Sequence, residues 1–356
     1  MSNILLLDTT LRDGGLGLED SYSKGYFDYS FTKEKIVKIS ELLTNAKIEL
    51  IELGSIEISN DDKTRFAIYQ NIEEISKLIP KNKTQTVKYA ALYRGPDTPI
   101  QDIPNWNPDL CEFVRVILRY SELEKSVDFC KNLSEKGYKV CVQPMLTMRY
   151  SQTQLDYIIE HANQMNAYAL YFVDSYGYMQ EENIKYFYNL YNEKLNKNIK
   201  IGFHAHNNMN LAFSNVKNFI LQQDSYRDII VDSCVMGLGQ GAGNMQTEII
   251  SDYLIKNFNK KYRYNYILDT AEIIDEFFNK NICGYSLPYL ISAINKVAYK
   301  YSIDLRYKYG FRYSEIHKIL SNISEELRQR YTPENLNLLI KNFRENYHDK
   351  PEECEC

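Results

Sequence analysis

The chain lacks any apolar run of about 18 residues, so no membrane-spanning helix is expected. Charge of one sign is not in excess: 42 basic residues face 47 acidic ones, a net of −5, and they are interspersed rather than blocked. Nothing in that balance suggests a nucleic-acid partner. The seven cysteines are an odd number without paired spacing, so no disulfide framework is implied. Cys141 and Cys234 fall inside apolar runs and read as buried hydrophobes. Cys354-Glu355-Cys356 closes an acidic tail and reads as a disordered end rather than a metal site. Met1-Ser2-Asn3 runs straight into an apolar segment and leaves no room for a signal peptide, so a cytoplasmic location is the expectation. Histidine is scarce, five in 356 residues, which gives weight to any two that stand close together. Tyrosine, at 31, is abundant, but alongside many Asn, Lys and Ile it reads as compositional bias.

What is present is a regular alternation. Short apolar runs at 4–8, 48–54, 86–92, 113–117, 138–144, 169–174, 200–205 and 228–235 read as eight strands. Between several of them lie helical patterns: Thr32 caps one whose apolar face is Ile36, Ile39, Leu42 and Leu43, and others follow at 121–136, up to 165, and from 180. Segment 14–31, rich in glycine and tyrosine, reads as a long loop at the mouth of a site. Eight strands alternating with helices predict an α/β fold, a (β/α)8 TIM barrel, over residues 1–261. From 262 to 356 the pattern turns helical, around Ile273–Phe278, from Leu287, and at 314–328 and 333–346. That region is expected to be an appended C-terminal helical domain ending in the acidic tail.

Two of the strands deliver chemistry. The first ends in Asp8-Thr9-Thr10-Leu11-Arg12-Asp13-Gly14-Gly15, and the seventh in Phe203-His204-Ala205-His206-Asn207. Residues two apart on a strand face the same side, so His204 and His206 aim together. With Asp13 they make a facial set of one carboxylate and two imidazoles that leaves positions open on a metal. Oxygen and imidazole donors suit Mn²⁺ best, with Mg²⁺, Co²⁺ or Zn²⁺ as alternatives. Arg12 puts a guanidinium beside that set, placed to stabilise developing negative charge and to orient a carboxylate.

The order of these motifs, with Val173-Asp174-Ser175-Tyr176-Gly177 and Gly237-Leu238-Gly239-Gln240-Gly241-Ala242-Gly243-Asn244, resembles the metal-dependent barrel aldolases and lyases. That family includes 3-hydroxy-3-methylglutaryl-CoA lyase, isopropylmalate synthase and 4-hydroxy-2-oxovalerate aldolase. The resemblance spans roughly residues 1–260 and is nearest the aldolase branch, because synthases tend to carry Asp-Thr and an Arg where this chain has Asp174-Ser175 and the Gly-rich turn. It implies an aldolase that makes or cleaves a 4-hydroxy-2-oxo acid through a pyruvate enolate, with a 2-oxo acid and an aldehyde as small-molecule partners. A Claisen-type synthase or lyase using an acyl-CoA is the alternative, and a barrel-derived binding subunit a third reading. The resemblance also implies Asn244 as a fourth metal ligand, Ser175 as a contact to the keto acid, and Glu52 and Asp174 as anchors behind the ligands. A homodimer or higher homo-oligomer is expected. Where the hydroxy-keto-acid aldolases carry a histidine base this chain has Leu16, so the proton acceptor must come from elsewhere. Glu52, water at the metal, and Tyr285 or Tyr289 of the helical region are the candidates, the tyrosines because the family draws one from its C-terminal helices.

Overall fold

A computed structural model describes residues 3–23, 29–81, 86–224, 226–278 and 284–347. The nine strands are β1 Ile4–Asp8, β2 Leu50–Ile56, β3 Ile68–Tyr69, β4 Lys88–Tyr93, β5 Phe113–Leu118, β6 Lys139–Pro144, β7 Ala169–Asp174, β8 Lys200–Ala205 and β9 Ile229–Ser233. All pairings between them are parallel, in the order β1-β9-β8-β7-β6-β5-β4-β2, and β1 also pairs β2, so eight strands close into a barrel. The two-residue β3 hangs on the outside of that circle beside the end of β2. Most strand residues are buried, as parallel strands sealed on both faces must be. The barrel interior holds Leu7, Leu50, Ala90, Phe113, Cys141, Tyr171 and Ile230. The larger core lies between the strands and the surrounding helices.

The helix expected after Thr32 forms at Lys33–Ala46, with the Thr32 hydroxyl accepting from the Lys35 amide at 3.3 Å. The expectation of a loop from residue 14 is corrected. Residues Thr10–Ser23 are a helix that starts within two residues of β1. Glycine is a poor helix former, and Gly14, Gly15 and Gly17 made the stretch read as irregular. Tertiary contact overrides that preference. A Cβ at Gly15 would collide with the Phe66 carbonyl oxygen, so only glycine lets the helix seat against the chain beyond β2. The second strand also runs further than its apolar stretch suggests, to Ile56, which puts Glu52 at its third residue rather than near its C-terminal end.

Past the barrel, Tyr264–Phe278 is a helix packed on Lys33–Ala46, and its Ile267, Ile274 and Phe277 belong to the barrel's own core. Helices Leu287–Ile294, Tyr299–Tyr307, Tyr313–Ser321, Glu325–Gln329 and Pro333–Tyr347 follow. They enclose a second core around Tyr301, Leu305, Ile316, Leu320 and Leu336. Tyr176, from the turn after β7, packs against that core, and Arg149 donates to the Arg328 carbonyl, so the helices lie against the end of the barrel where the strands leave. No helix among the described residues is long and apolar enough to cross a membrane. The acidic tail, with Cys354 and Cys356, and Cys283 lie outside the described residues.

Candidate active site

Asp13, His204 and His206 converge. One ligand atom from each lies within 4.8 Å of the others, and all three residues are buried. It is the one such cluster of acids, histidines and cysteines among the described residues. His204 and His206 leave β8 on one face, as the two-residue period requires, with ring centroids 5.1 Å apart. Asp13 comes from the first turn of the helix after β1, and its Oδ2 is 4.0 Å from His204 Nε2.

Each histidine has its rear nitrogen engaged. His204 Nδ1 lies 2.9 Å from Asp232 Oδ2, and His206 Nδ1 lies 3.3 Å from the Gln240 carbonyl. An acceptor at Nδ1 fixes the proton there and presents the Nε2 lone pair forward, which is what a metal ligand requires. Burial lowers the His206 pKa to about 4, well below the ordinary 6.5, so its imidazole is neutral at physiological pH. Burial pushes the Asp13 carboxyl up, but Arg12, the two histidines and the Asn244 amide outweigh it and hold it at about 2. Asp13 and His206 are therefore in the protonation states of ligands.

Asn244 completes the cluster. Residues 237–244 fold back on the histidine strand: the Asn207 amide donates to the Gly243 carbonyl at 2.8 Å and the Met245 amide to the Ala205 carbonyl at 3.1 Å. Gly243 sits at φ +90°, and a Cβ there would strike the Gly237 carbonyl, so the turn depends on glycine at that position. The turn carries Asn244 to Asp13, where its Nδ2 donates to Asp13 Oδ2. Its Oδ1 is buried without a hydrogen-bond partner, an arrangement that costs free energy unless something else faces it. A divalent cation fits this set. Asp13, His204 and His206 would hold it, with the Asn244 oxygen turned in as a fourth donor.

Behind the ligands runs a chain of buried charges. Arg12 reaches Asp13 through Nη1 and Glu52 through Nε at 2.7 Å. Arg115 donates to the same Glu52 oxygen at 2.7 Å and, through Nη2, to Asp232. Asp232 in turn supports His204. Burial alone would lower the Arg115 pKa, but Asp232 and Glu52 more than reverse that and leave it permanently charged. Glu52 Oε1, Asp232 Oδ1 and Arg115 Nε are buried without hydrogen-bond partners. Sequence reasoning reached Glu52 but missed Arg115 and Asp232. The available signal was a single charge inside an apolar strand, Phe113-Val114-Arg115-Val116 and Val231-Asp232-Ser233, which demands a buried partner.

The other expected residues are placed as follows. Asp174 accepts from the Tyr178 and Met179 amides at 2.9 and 3.0 Å, which orders the turn after β7. Burial raises its pKa to about 7. Ser175 accepts from the Leu146 amide at 2.9 Å. Tyr289 lines a small cavity beside the Gly-rich turn, with Asp20, Gly239, Gln240 and Tyr299. Tyr285 points outward and is 54 % exposed, so the structure does not bring it to the ligands.

Residues 111–274 match the HMGL-like family. A 4-hydroxy-2-oxovalerate aldolase from Thermomicrobium roseum is 27% identical over 286 residues, 75% of this chain and 71% of that protein. The HMG-CoA lyase of Bacillus subtilis shares the fold at a TM-score of 0.59 and 16% identity, over 78% of this chain and 94% of that one. The carboxyl transferase domain of Rhizobium etli pyruvate carboxylase, solved with pyruvate and biocytin, reaches a TM-score of 0.71 at 13% identity. That match covers 97% of this chain and 61% of the other, so it extends across the C-terminal helices. With the closed parallel barrel already in view, the match over residues 111–274 and the aldolase relatives make the chain similar to the HMGL-like family and mark it as an aldolase-type carbon–carbon lyase.

Proposed function

We propose that this lyase depends on a divalent metal, Mn²⁺ above the other candidates, and makes or cleaves a 4-hydroxy-2-oxo acid through the enolate of pyruvate. The observation that carries this is the meeting of Asp13, His204 and His206, one ligand atom of each within 4.8 Å of the others, beside the Arg12 guanidinium. When bound, the ion would polarise the keto group of a 2-oxo acid and stabilise the enolate left when the carbon–carbon bond breaks. Arg12 is held from two sides by Asp13 and Glu52, through Nη1 and Nε, so its direction is fixed before substrate arrives. Its Nη2 edge is then the group that stabilises the same enolate oxygen and fixes the substrate carboxylate. Glu52 acts as the anchor of Arg12. Its Oε2 is shared by the two arginines. The names of the related aldolases support the substrate class.

The test is direct. Protein loaded with Mn²⁺ is incubated with pyruvate and a panel of aldehydes, and products are read by mass spectrometry, alongside acetyl-CoA as a competing donor. New 4-hydroxy-2-oxo acids are expected with wild type, and neither metal nor product with His204→Ala. Full metal occupancy in His204→Ala would sink the ligand assignment, and product only from acetyl-CoA would move the enzyme to acyl-CoA chemistry.

A further inference from the structure

An aldol cleavage removes the proton of the 4-hydroxyl as the C3–C4 bond breaks, and a group within hydrogen-bond reach normally takes it. Leu16, buried at 5 % exposure, cannot do this, and Glu52 is committed to two arginines. The groups that fit lie further along the helix that carries Asp13.

Asp13, Leu16 and Asp20 are spaced i, i+3 and i+7 on the helix Thr10–Ser23, so all three lie on one face. Asp20 is about 10 Å along the axis from Asp13, and helical side chains lean back toward the N-terminus, here toward the ligands. The Tyr299 phenol, from the C-terminal helices, donates to Asp20 Oδ2 at 2.8 Å. Lys300 Nζ lies 2.8 Å from the other carboxylate oxygen. Asp20 and Tyr299 both line the small cavity beside the Gly-rich turn. Its wall at Gly239 is the wall of the metal cluster: a Cβ on Gly239 would stand 2.6 Å from Asp13 Oδ2. Gly239 thus borders both the cavity and the metal cluster. The Tyr289 ring meets Tyr299 edge to face at 5.5 Å and fixes its plane.

We propose that Tyr299 and Asp20 form the proton relay of the aldol step, with Tyr299 the catalytic residue and Tyr289 a positioning residue. This rests on the pyruvate-enolate reading above. In cleavage the O–H bond of the 4-hydroxyl breaks and its proton passes to the Tyr299 oxygen. The phenol proton passes at the same time to Asp20 Oδ2. The C4–O bond becomes a carbonyl, the C3–C4 bond breaks, and its electron pair goes to the enolate. Asp20, partly open to solvent, then releases the proton. Condensation runs the same relay backwards from protonated Asp20. A tyrosine supplied by the helical region thereby does the work that the family's histidine does at the place of Leu16.

The experiment separates the relay from everything else the site does. Decarboxylation of oxaloacetate also yields the pyruvate enolate, but it breaks a bond to a carboxylate and needs no hydroxyl proton removed. Wild type, Tyr299→Phe and Asp20→Asn are each loaded with Mn²⁺ and assayed on 4-hydroxy-2-oxovalerate and on oxaloacetate, and Mn²⁺ affinity is measured by calorimetry. Both variants are expected to lose about 10²–10⁴-fold in kcat for aldol cleavage, the usual worth of a positioned acid or base. Oxaloacetate decarboxylation and Mn²⁺ affinity should stay within about threefold of wild type. Aldol cleavage at the wild-type rate in Tyr299→Phe overturns the relay, and so does an equal loss of both reactions, which marks a merely structural residue. If wild type itself turns over neither substrate, it is the enolate reading that fails.

Discussion

Asp232 offers the sharpest quantitative test of the buried charge network. Its Oδ2 serves two neighbours at once, the His204 ring at 2.9 Å and the Arg115 guanidinium, while Oδ1 has no partner. In Asp232→Asn the amide oxygen can take over both bonds and the amide nitrogen can occupy the idle Oδ1 position. Shape and hydrogen bonding are thus nearly kept, and the charge is lost. Around the site two arginines, Arg12 and Arg115, face three carboxylates, Asp13, Glu52 and Asp232. The cluster therefore carries one net negative charge, which Asp232→Asn removes. A neutral amide also holds the Nδ1 proton of His204 less firmly and leaves Nε2 a poorer donor. Loss of such a supporting partner costs about 10–100-fold in metal affinity, or about 1.4–2.7 kcal/mol. Arg115 keeps its 2.7 Å bond to Glu52, so the fold should survive. The assay is calorimetric titration of Mn²⁺ into metal-free protein, paired with urea denaturation to confirm a folded variant. An affinity within twofold of wild type, in a protein of unchanged stability, would refute the claim that Asp232 tunes the metal site through His204.

Two further outcomes follow from the same geometry. Arg12→Lys keeps the charge but loses the fork that reaches Asp13 and Glu52 together, so turnover should fall by about two orders of magnitude or more while calorimetry still finds bound Mn²⁺; unchanged turnover would leave Arg12 a structural ion pair. His206 should titrate near pH 4 in metal-free protein when its ring protons are followed by NMR. Between about 6.5, the ordinary value for the unfolded chain, and 4, the unfolded chain takes up a proton that the folded chain refuses, so His206 makes stability fall as pH falls through that window. A midpoint above 6 would mean that the ring is not buried as described.

The strand pattern and the convergence of Asp13, His204 and His206 were legible because each rests on a local rule. His-x-His on a strand aims two imidazoles together whatever the tertiary structure, and Arg12-Asp13 directly after a buried run places charge at a strand end. The helix at Thr10–Ser23 was not legible, because its glycines answer to Phe66 and to the Gly-rich turn, not to helix propensity. Arg115 and Asp232 look alike in sequence, as lone charges in apolar strands, and only the closed barrel shows that they face each other across its interior. Tyr299 was hidden for the opposite reason. Among 31 tyrosines nothing singles it out until the C-terminal helices bring its phenol to Asp20. Helix Tyr299–Tyr307 itself escaped notice because its mixed Tyr, Lys, Asp and Arg content blurs any apolar stripe.

The contact between Asp13 and Asn244 joins residues 231 positions apart. On a ribosome adding about 5–20 residues per second, that separation is a wait on the order of 10–50 s. For most of it Asp13 has been synthesised but His204 and His206 have not. β1 waits as well, since one of its two neighbours, β9, is among the last parts of the barrel to emerge. A metal ion therefore cannot template the early stages of this fold. On the proposed reading it would bind once Asp13, His204 and His206 have met, and would then oppose their separation by mass action. Cellular metal supply would accordingly set how long a finished molecule lasts and leave the speed of its making untouched.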